Sequence, residues 1–467
     1  MLQYSRYNHC VRIPDEDAFV LVNFRSGAVM RLTPFQHALF DRAEELSDSF
    51  QFVQKLREAG FLVAYDELRH MRTQAFFESG RGEALALTIC PTLACNFACP
   101  YCFETPRSGS MSRETEDLIF RFAKENMVYY GLKKLSVTWY GGEPLLFPWI
   151  IERLSQRFIE LCAELGAAYD AGIITNGWFL TEENISLLER SKVTYIQITL
   201  DGPTPETNDA SRRERNGGSS FTRIMQNLWQ LRPYDLQPED AGTPAGPESP
   251  YPDPSQRSWP RVSIRCNLNR ENAPLFEALK AQIDDIAAET GVNISAYASR
   301  MDLIGPASPE LARKEMNMSE YADSQTPEDL LRRWGQPSYR RVYCMAHKKH
   351  EYCIDELGNL YKCWEDVGKD AFAFGNVKDF SHAGEPGSNT GVLDAYFETL
   401  FPREDEECMA CKFFPLCLGG CPHRRIMNRR ECFSWKDDPD GYALARYRTW
   451  KTQQDTNHSR QTQEKDE

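Results

Sequence analysis

Cysteine placement constrains this chain more than any other feature of its sequence. Eleven of the fifteen cysteines fall into two groups with short spacings, set among Pro and Gly. Cys95, Cys99 and Cys102 form the first. Cys344, Cys353, Cys363, Cys408, Cys411, Cys417, Cys421 and Cys432 form the second. Only Cys10, Cys90, Cys162 and Cys266 stand alone, and they read as ordinary packing residues, Cys90 at the end of a strand. A chain of 467 residues is too long for a small disulfide scaffold. Its start, Met1–Cys10, lacks the apolar run of a secretory signal. Metal or redox chemistry in a cytoplasmic protein is therefore the expectation.

Composition narrows the class. Hydrophobic residues make up 41%, enough for a buried core and above a disordered composition. No run of about 18 apolar residues exists, so no transmembrane helix is expected. The net charge is 54 − 68 = −14, with no basic stripe, which argues against nucleic acid as a partner.

Residues 1–80 read as a separate module. A strand at Phe19–Phe24, a turn at Arg25–Gly27 and a strand at Ala28–Leu32 lead into a helix with Thr33 as cap, Pro34 in its first turn and Gln36 completing a capping box. A second helix near Phe50–Ala59 stops at Gly60, and Phe61–Val63 returns as a strand. The pattern resembles a winged helix. It fits either a structural cap or a peptide-docking module whose strand edge accepts an extended peptide.

Over residues 84–310 strands and helices alternate. Strands are expected at Ala84–Ile89, Leu135–Trp139, Gly172–Thr175, Tyr195–Leu200, Arg261–Cys266 and Val292–Tyr297. Helices are expected at Glu114–Tyr130, Trp149–Leu165 and Glu182–Arg190. This order predicts an α/β fold with a parallel sheet, open or barrel-like, and ligand chemistry at the C-terminal strand ends. A Pro-rich insertion spans 233–260, a polar helical bridge 306–342, and a cysteine-rich domain the remainder of 311–450. The polar tail 451–467 is expected to fray.

The Cys-x3-Cys-x2-Cys spacing of Cys95, Cys99 and Cys102, in a loop after a strand, suits an iron–sulfur cube. Three thiolates rather than four leave one iron open to a ligand. A zinc site would want a fourth ligand soon after Cys102, and a ferredoxin run has even gaps. Neither pattern is present.

On this motif, with Tyr101 before the last cysteine, the chain resembles the radical S-adenosylmethionine (radical SAM) superfamily. The resemblance extends over about residues 84–435. It continues through Tyr140-Gly141-Gly142-Glu143-Pro144, Ile174-Thr175-Asn176-Gly177 and Thr199-Leu200-Asp201-Gly202-Pro203, with Asp209 and Arg212 beyond. It implies a partial (β/α)6 TIM-like barrel. It also implies SAM contacts from Tyr101, Gly141, Gly142, Glu143, Thr175, Asn176, Thr199, Asp201 and Arg212. Two departures stand out: Asn208 replaces a His, and the spacing to Arg212 is one residue longer, which makes Arg213 its rival.

The C-terminal cysteines resemble a SPASM domain, which follows the barrel in peptide-modifying enzymes. That resemblance implies a first auxiliary 4Fe-4S cluster on Cys344, Cys353, Cys363 and Cys421. A second would sit on Cys408, Cys411, Cys417 and Cys432, giving three clusters in all. His423 is read as lying outside the ligand set. The function implied is a maturase that cleaves SAM to a 5′-deoxyadenosyl radical. It would then oxidatively modify a ribosomally made peptide, by a thioether or carbon–carbon cross-link. The leader would dock on the N-terminal module, and flavodoxin or ferredoxin would supply electrons. An anaerobic sulfatase-type maturase is the alternative within enzymes. Its relatives place Asp directly after the position of Cys363. Here Trp364 stands there, followed by Glu365 and Asp366, either of which could act as a base. A non-catalytic iron–sulfur regulator is the alternative from another class.

Overall fold

The computed structural model describes residues 2–234, 260–301, 303, 308–316, 340–379, 390–430, 432 and 434–466. The Pro-rich insertion and the bridge expected at 306–342 lie largely outside these residues. The chain divides into two compact units. The first joins residues 1–80 to 318–348 and 396–467, and the second comprises 81–317 and 349–395. Cysteines expected in the domain at 311–450 fall in both units.

The first unit opens with β1 (Gln3–Tyr4), β2 (Asn8–Arg12), β3 (Phe19–Asn23) and β4 (Val29–Leu32), then α1 (Pro34–Phe40), α2 (Gln51–Glu58), β5 (Leu62–Val63) and α3 (Glu67–Gly80). Strands β2, β3 and β4 form an antiparallel meander, and β1 pairs with β5. At the β3–β4 turn, Asn23 Oδ1 accepts the backbone N–H groups of Arg25 and Ser26, at 2.9 and 2.7 Å. The capping box of Thr33 and Gln36 is formed. Sequence reading missed β2 and α3.

Strand β3 reads as a continuous apolar run because both its faces are covered. Leu21 joins a core with Leu32, Phe40, Val53, Leu56 and Phe61. Val20 and Val22, pointing the other way, join Phe24 in a core with Phe413, Phe414, Leu418, Tyr442 and Tyr447. Much of that second face is supplied by the helix Pro439–Asp466. The tail after Trp450 is thus part of a helix rather than frayed chain.

The second unit carries β6 (Ala84–Ile89), α4 (Arg113–Tyr130), β7 (Lys134–Trp139), α5 (Pro148–Leu165), β8 (Ala168–Thr175), α6 (Glu182–Arg190), β9 (Val193–Thr199), α7 (Pro205–Ser211), α8 (Ser220–Leu228), β10 (Arg261–Leu268), α9 (Phe276–Thr290) and β11 (Asn293–Arg300). Six consecutive parallel strands run in the order β11-β10-β9-β8-β7-β6, the parallel sheet that the alternation predicts, arranged as the partial β/α barrel that the resemblance implies. Burial alternates along β7, whereas β10 is buried over most of its length. Leu135, Val137 and Trp139 of β7 are buried, as are Val262, Ile264, Cys266 and Leu268 of β10. Their neighbours Ser136, Thr138, Arg261 and Arg265 are half-buried. The sheet extends past β6 through β12 (Glu351–Ile354), β13 (Asn359–Tyr361) and β14 (Gly375–Asn376). β12 lies parallel to β6 with Cys353 opposite Thr88, and β12–β13 form a hairpin. No described helix is long and apolar enough to cross a membrane.

Candidate active site

The segments that follow β6, β7, β8, β9 and β10 meet at one end of the barrel. The loop after β6 carries Cys95, Cys99 and Cys102. It is held by a short ladder to the segment after α7. Ala98 N–H donates to Arg213 O at 2.8 Å, Arg215 N–H donates to Asn96 O at 2.9 Å, and Phe97 bridges Glu214. Burial raises all three thiols, Cys95 to about 12 and Cys102 to about 11; Cys99 adds to the rise at both of these, while Arg212 opposes the rise at Cys99. Thiols that resist ionisation alone are ionised by metal, and these three are gathered for it.

The loop after β7 sits directly on the cysteine loop. Gly142 N–H donates to Thr92 O at 3.2 Å and Glu143 N–H to Ala94 O at 2.9 Å. Gly141 has φ +107°, and a Cβ there would lie 2.3 Å from Thr92 O. A Cβ on Gly142 would lie 2.3 Å from Ala94 O. The two glycines are thus required for close approach of two backbones.

Glu143 is fully buried. Its Oε1 accepts from Thr175 Oγ1 at 2.7 Å and Leu145 N–H at 2.9 Å. Its Oε2 accepts from Asn176 N–H at 2.7 Å. Burial raises its pKa and the three donors oppose the rise. Glu143 therefore ties the end of β7 to the end of β8. Asn176 Nδ2 in turn donates to Asn96 Oδ1 at 2.8 Å, between Cys95 and Phe97 in the chain.

Buried Asp201 and Arg212 cluster with half-buried Tyr101. The Tyr101 hydroxyl donates to Asp201 Oδ2, and Arg212 Nη1 donates to the Tyr101 hydroxyl at 3.0 Å. Asn267 N–H donates to Asp201 Oδ1 at 3.0 Å. Burial raises Asp201, partly offset by Arg212; Arg212 is raised, its own burial opposed by Tyr101, Cys99 and Asp201. Arg212 lies over the Phe97 ring, 5.5 Å from its centroid, and its Nε is buried without a hydrogen-bond partner among the described residues. Arg213 is exposed, so geometry favours Arg212 over its rival. Thr199 is buried at the end of β9. Asn208, in place of the His of relatives, accepts from Asp201 N–H at 2.9 Å. Asp209 accepts from Ser220 Oγ and Phe221 N–H, at 2.7 and 2.8 Å.

Sequence reasoning missed two links. Glu104, two residues past Cys102, hydrogen-bonds Tyr140, and burial pushes it up to about 7. Arg107 pairs with Asp355 at 2.9 Å and Glu356 at 3.1 Å. Asp355, fully buried, also accepts from Asn359 N–H and the Tyr361 hydroxyl, both at 2.9 Å. The cysteine loop is thereby anchored to the β12–β13 hairpin. No short motif marks either link, since the partners lie far apart in the chain.

Beyond the hairpin, Trp364 packs on Tyr140 with ring centroids 5.1 Å apart. Asp366 is fully buried and Glu365 half-buried. Cys353 is buried in β12 and Cys363 half-buried, both in the second unit. Cys344 and Cys421 are half-buried in the first. Within the first unit, Cys408, Cys411, Cys417 and Cys432 line one cavity together with Phe413, Phe414 and Gly419.

These donor sets fit what they would have to hold. Three gathered thiols leave one iron position open, and beside them stands a buried cation with an unsatisfied N–H. Four thiols around one cavity suit a closed cube.

The family model of the radical SAM superfamily matches residues 89–237. Mycofactocin maturase MftC of Mycobacterium tuberculosis is 32% identical over 366 residues, covering 74% of this chain and 80% of that protein. A serine-type anaerobic sulfatase-maturating enzyme of Bacteroides thetaiotaomicron is 26% identical over 371 residues, covering 71% and 81%. Among solved structures, native anSMEcpe with bound AdoMet and Kp18Cys peptide aligns with TM-score 0.53 at 17% identity, covering 75% of this chain and 92% of that one. The chain belongs to the radical SAM superfamily. It is an enzyme of that family, one that uses S-adenosylmethionine with an iron–sulfur cluster, and both relatives described above are maturases.

Proposed function

We propose that this protein is a cytoplasmic maturase that oxidatively modifies a ribosomally made precursor peptide by a thioether or carbon–carbon cross-link. The observation that carries this reading is the pairing of one three-cysteine loop in a partial barrel with a second, four-cysteine cavity in the other unit. Cys95, Cys99 and Cys102 would hold an iron–sulfur cluster with one iron open to SAM, and the reduced cluster would supply the electron that cleaves SAM to a hydrogen-abstracting 5′-deoxyadenosyl radical.

The chain's own residues would then act as follows. Arg212, fixed by Tyr101 and Asp201, offers its free N–H to the SAM carboxylate. Glu143 holds the Gly141–Gly142 backbone where its carbonyls meet the amino group. Thr175, Asn176 and Thr199 close the rim and exclude water. Cys408, Cys411, Cys417 and Cys432 would hold one auxiliary cluster. Cys344, Cys353, Cys363 and Cys421 are the ligand set that the resemblance gives a second. A cross-link needs one more electron removed after hydrogen abstraction, and extra clusters provide a route for it. Strands β2 and β4 each leave one edge unpaired among the described residues, which suits docking of an extended leader. Flavodoxin or ferredoxin would reduce the first cluster.

A sulfatase-type maturase ranks second, on the likeness to the sulfatase-maturating enzyme. Trp364, packed on Tyr140 where that chemistry would want a carboxylate, counts against it. The test is an anaerobic reaction of reconstituted protein, SAM, a reductant and a short peptide encoded beside this gene. Formation of 5′-deoxyadenosine with loss of a hydrogen pair from the peptide supports a cross-linking maturase. A Cys or Ser converted to formylglycine supports the alternative. An unchanged peptide mass refutes the assigned substrate.

A further inference from the structure

The reading above leaves unexplained the cations around the four-cysteine cavity. Arg425 lies on the short helix Pro422–Ile426. Its Nη2 donates to Cys408 Sγ at 2.9 Å and to Asp405 Oδ2 at 3.1 Å, and its Nε donates to Gly419 O. Its side chain is only 13% exposed. Asp405 Oδ1 accepts the backbone N–H of Cys408 at 3.0 Å and lies 3.2 Å from Arg430. Arg430 and Lys436 both line the cavity and both pair with Glu407. The guanidinium is thus held by a carboxylate and a carbonyl while one of its N–H groups points at a cysteine sulfur.

Hydrogen bonds to ligand sulfurs, local charge and burial set the reduction potential of an iron–sulfur cluster. Adding an electron deepens the negative charge on the sulfurs. An N–H donor aimed at one of them therefore stabilises the reduced form more than the oxidised form. The adjacent Asp405 carboxylate acts in the opposite sense.

We propose that Arg425 raises, and Asp405 lowers, the reduction potential of the cluster held by Cys408, Cys411, Cys417 and Cys432. This rests on the auxiliary-cluster assignment made above. Were Arg425 only a brace between Asp405 and Gly419, its replacement would alter stability and leave the potential unchanged.

The test uses the full chain with Cys95→Ala, Cys99→Ala and Cys102→Ala, so that only auxiliary clusters form. After anaerobic reconstitution it is titrated potentiometrically with dithionite and mediators. The electron paramagnetic resonance signal followed is the one lost in Cys408→Ala. At the potential where this background is half reduced, Arg425→Met is expected to show about a tenfold lower reduced-to-oxidised ratio, which for a one-electron couple is about 59 mV. Asp405→Asn, which still caps Cys408 N–H, is expected to shift the ratio upward. Arg425→Lys should fall between background and Arg425→Met. Opposite shifts from two residues that touch each other are not the signature of a brace. Ratios within twofold of background in Arg425→Met, or loss of iron from both Arg425 variants, overturn the proposal. If Cys408→Ala removes neither iron nor any signal, the auxiliary-cluster assignment itself fails.

Discussion

Glu143 carries a quantitative prediction. Its carboxylate is the acceptor for three buried donors: the Thr175 hydroxyl and the N–H groups of Leu145 and Asn176. Each buried donor left unsatisfied costs about 1–3 kcal/mol. Glu143→Ala orphans all three, so it should lower stability by roughly 3–9 kcal/mol, a large share of a typical net stability of about 5–15 kcal/mol. Glu143→Gln can keep its oxygen toward Thr175 and Leu145. Its amide nitrogen then faces the Asn176 N–H, and the loss should be about 1.5–3 kcal/mol, that of one bond to a charged group. The assay is urea unfolding of the metal-free chain under anaerobic conditions, followed by fluorescence of buried tryptophans such as Trp139. A double-mutant cycle isolates the mechanism. The Thr175 hydroxyl also accepts the Gly177 N–H at 3.1 Å, so Thr175→Val should cost about 2 kcal/mol in the wild type. It should cost only about 1 kcal/mol in Glu143→Ala, where the hydroxyl already lacks its acceptor and only the Gly177 bond is lost, giving a coupling of about 1 kcal/mol. Additive losses, or a Glu143→Gln variant within about 0.5 kcal/mol of wild type, would refute the account of Glu143 as the tie between β7 and β8.

Three further predictions concern the same unit and the cysteines. Gly142→Ala places a Cβ against Ala94 O, and overpacking of this kind costs about 1–3 kcal/mol; SAM cleavage should fall at least tenfold, measured as 5′-deoxyadenosine yield. Cys95→Ala should abolish 5′-deoxyadenosine formation, whereas Cys432→Ala should spare part of it and block the modified peptide; equal yields from Cys95→Ala and wild type would sink the site assignment. His350 is buried against Tyr130, and burial, with Lys349 and Lys362, lowers its pKa to about 4. Its folded pKa lies below the unfolded value of about 6.5, so the unfolded chain takes up the proton first. Stability should therefore fall as pH drops from about 6.5 to about 4, and His350→Phe should show a smaller loss of melting temperature over that window.

Sequence order was legible wherever local chemistry decides. The barrel strand Ala84–Ile89, the helix Glu182–Arg190 and the Thr33 capping box stand where the residue pattern puts them, because periodicity and caps are local. The cysteine loop, the two glycines and the Glu143 position were likewise visible as motifs. What the sequence hid depends on distant partners. Cys353 looked like one more ligand in a series, yet it also belongs to a strand that extends the barrel sheet beside Thr88. The role of Arg107 required knowing that Asp355 and Glu356 sit in a turn about 250 residues away. Arg212 and Arg213 are neighbours in the chain, and only the short ladder at Ala98 and Arg215 shows which one turns inward. The apolar run at Phe19–Phe24 announced a strand but not its second covered face, because the residues covering it lie near the other end of the chain.

That second face bears on how the protein is made. A ribosome releases β3 hundreds of residues before it releases Phe413, Tyr442 or Tyr447. Until then Val20, Val22 and Phe24 have one side exposed to water. The N-terminal sheet therefore closes over one of the widest sequence separations in the protein, a slow, high-contact-order step. The first turns of the helix Pro439–Asp466 complete a sheet made hundreds of residues earlier, so loss of that helix should injure strands β2–β4 as much as its own segment.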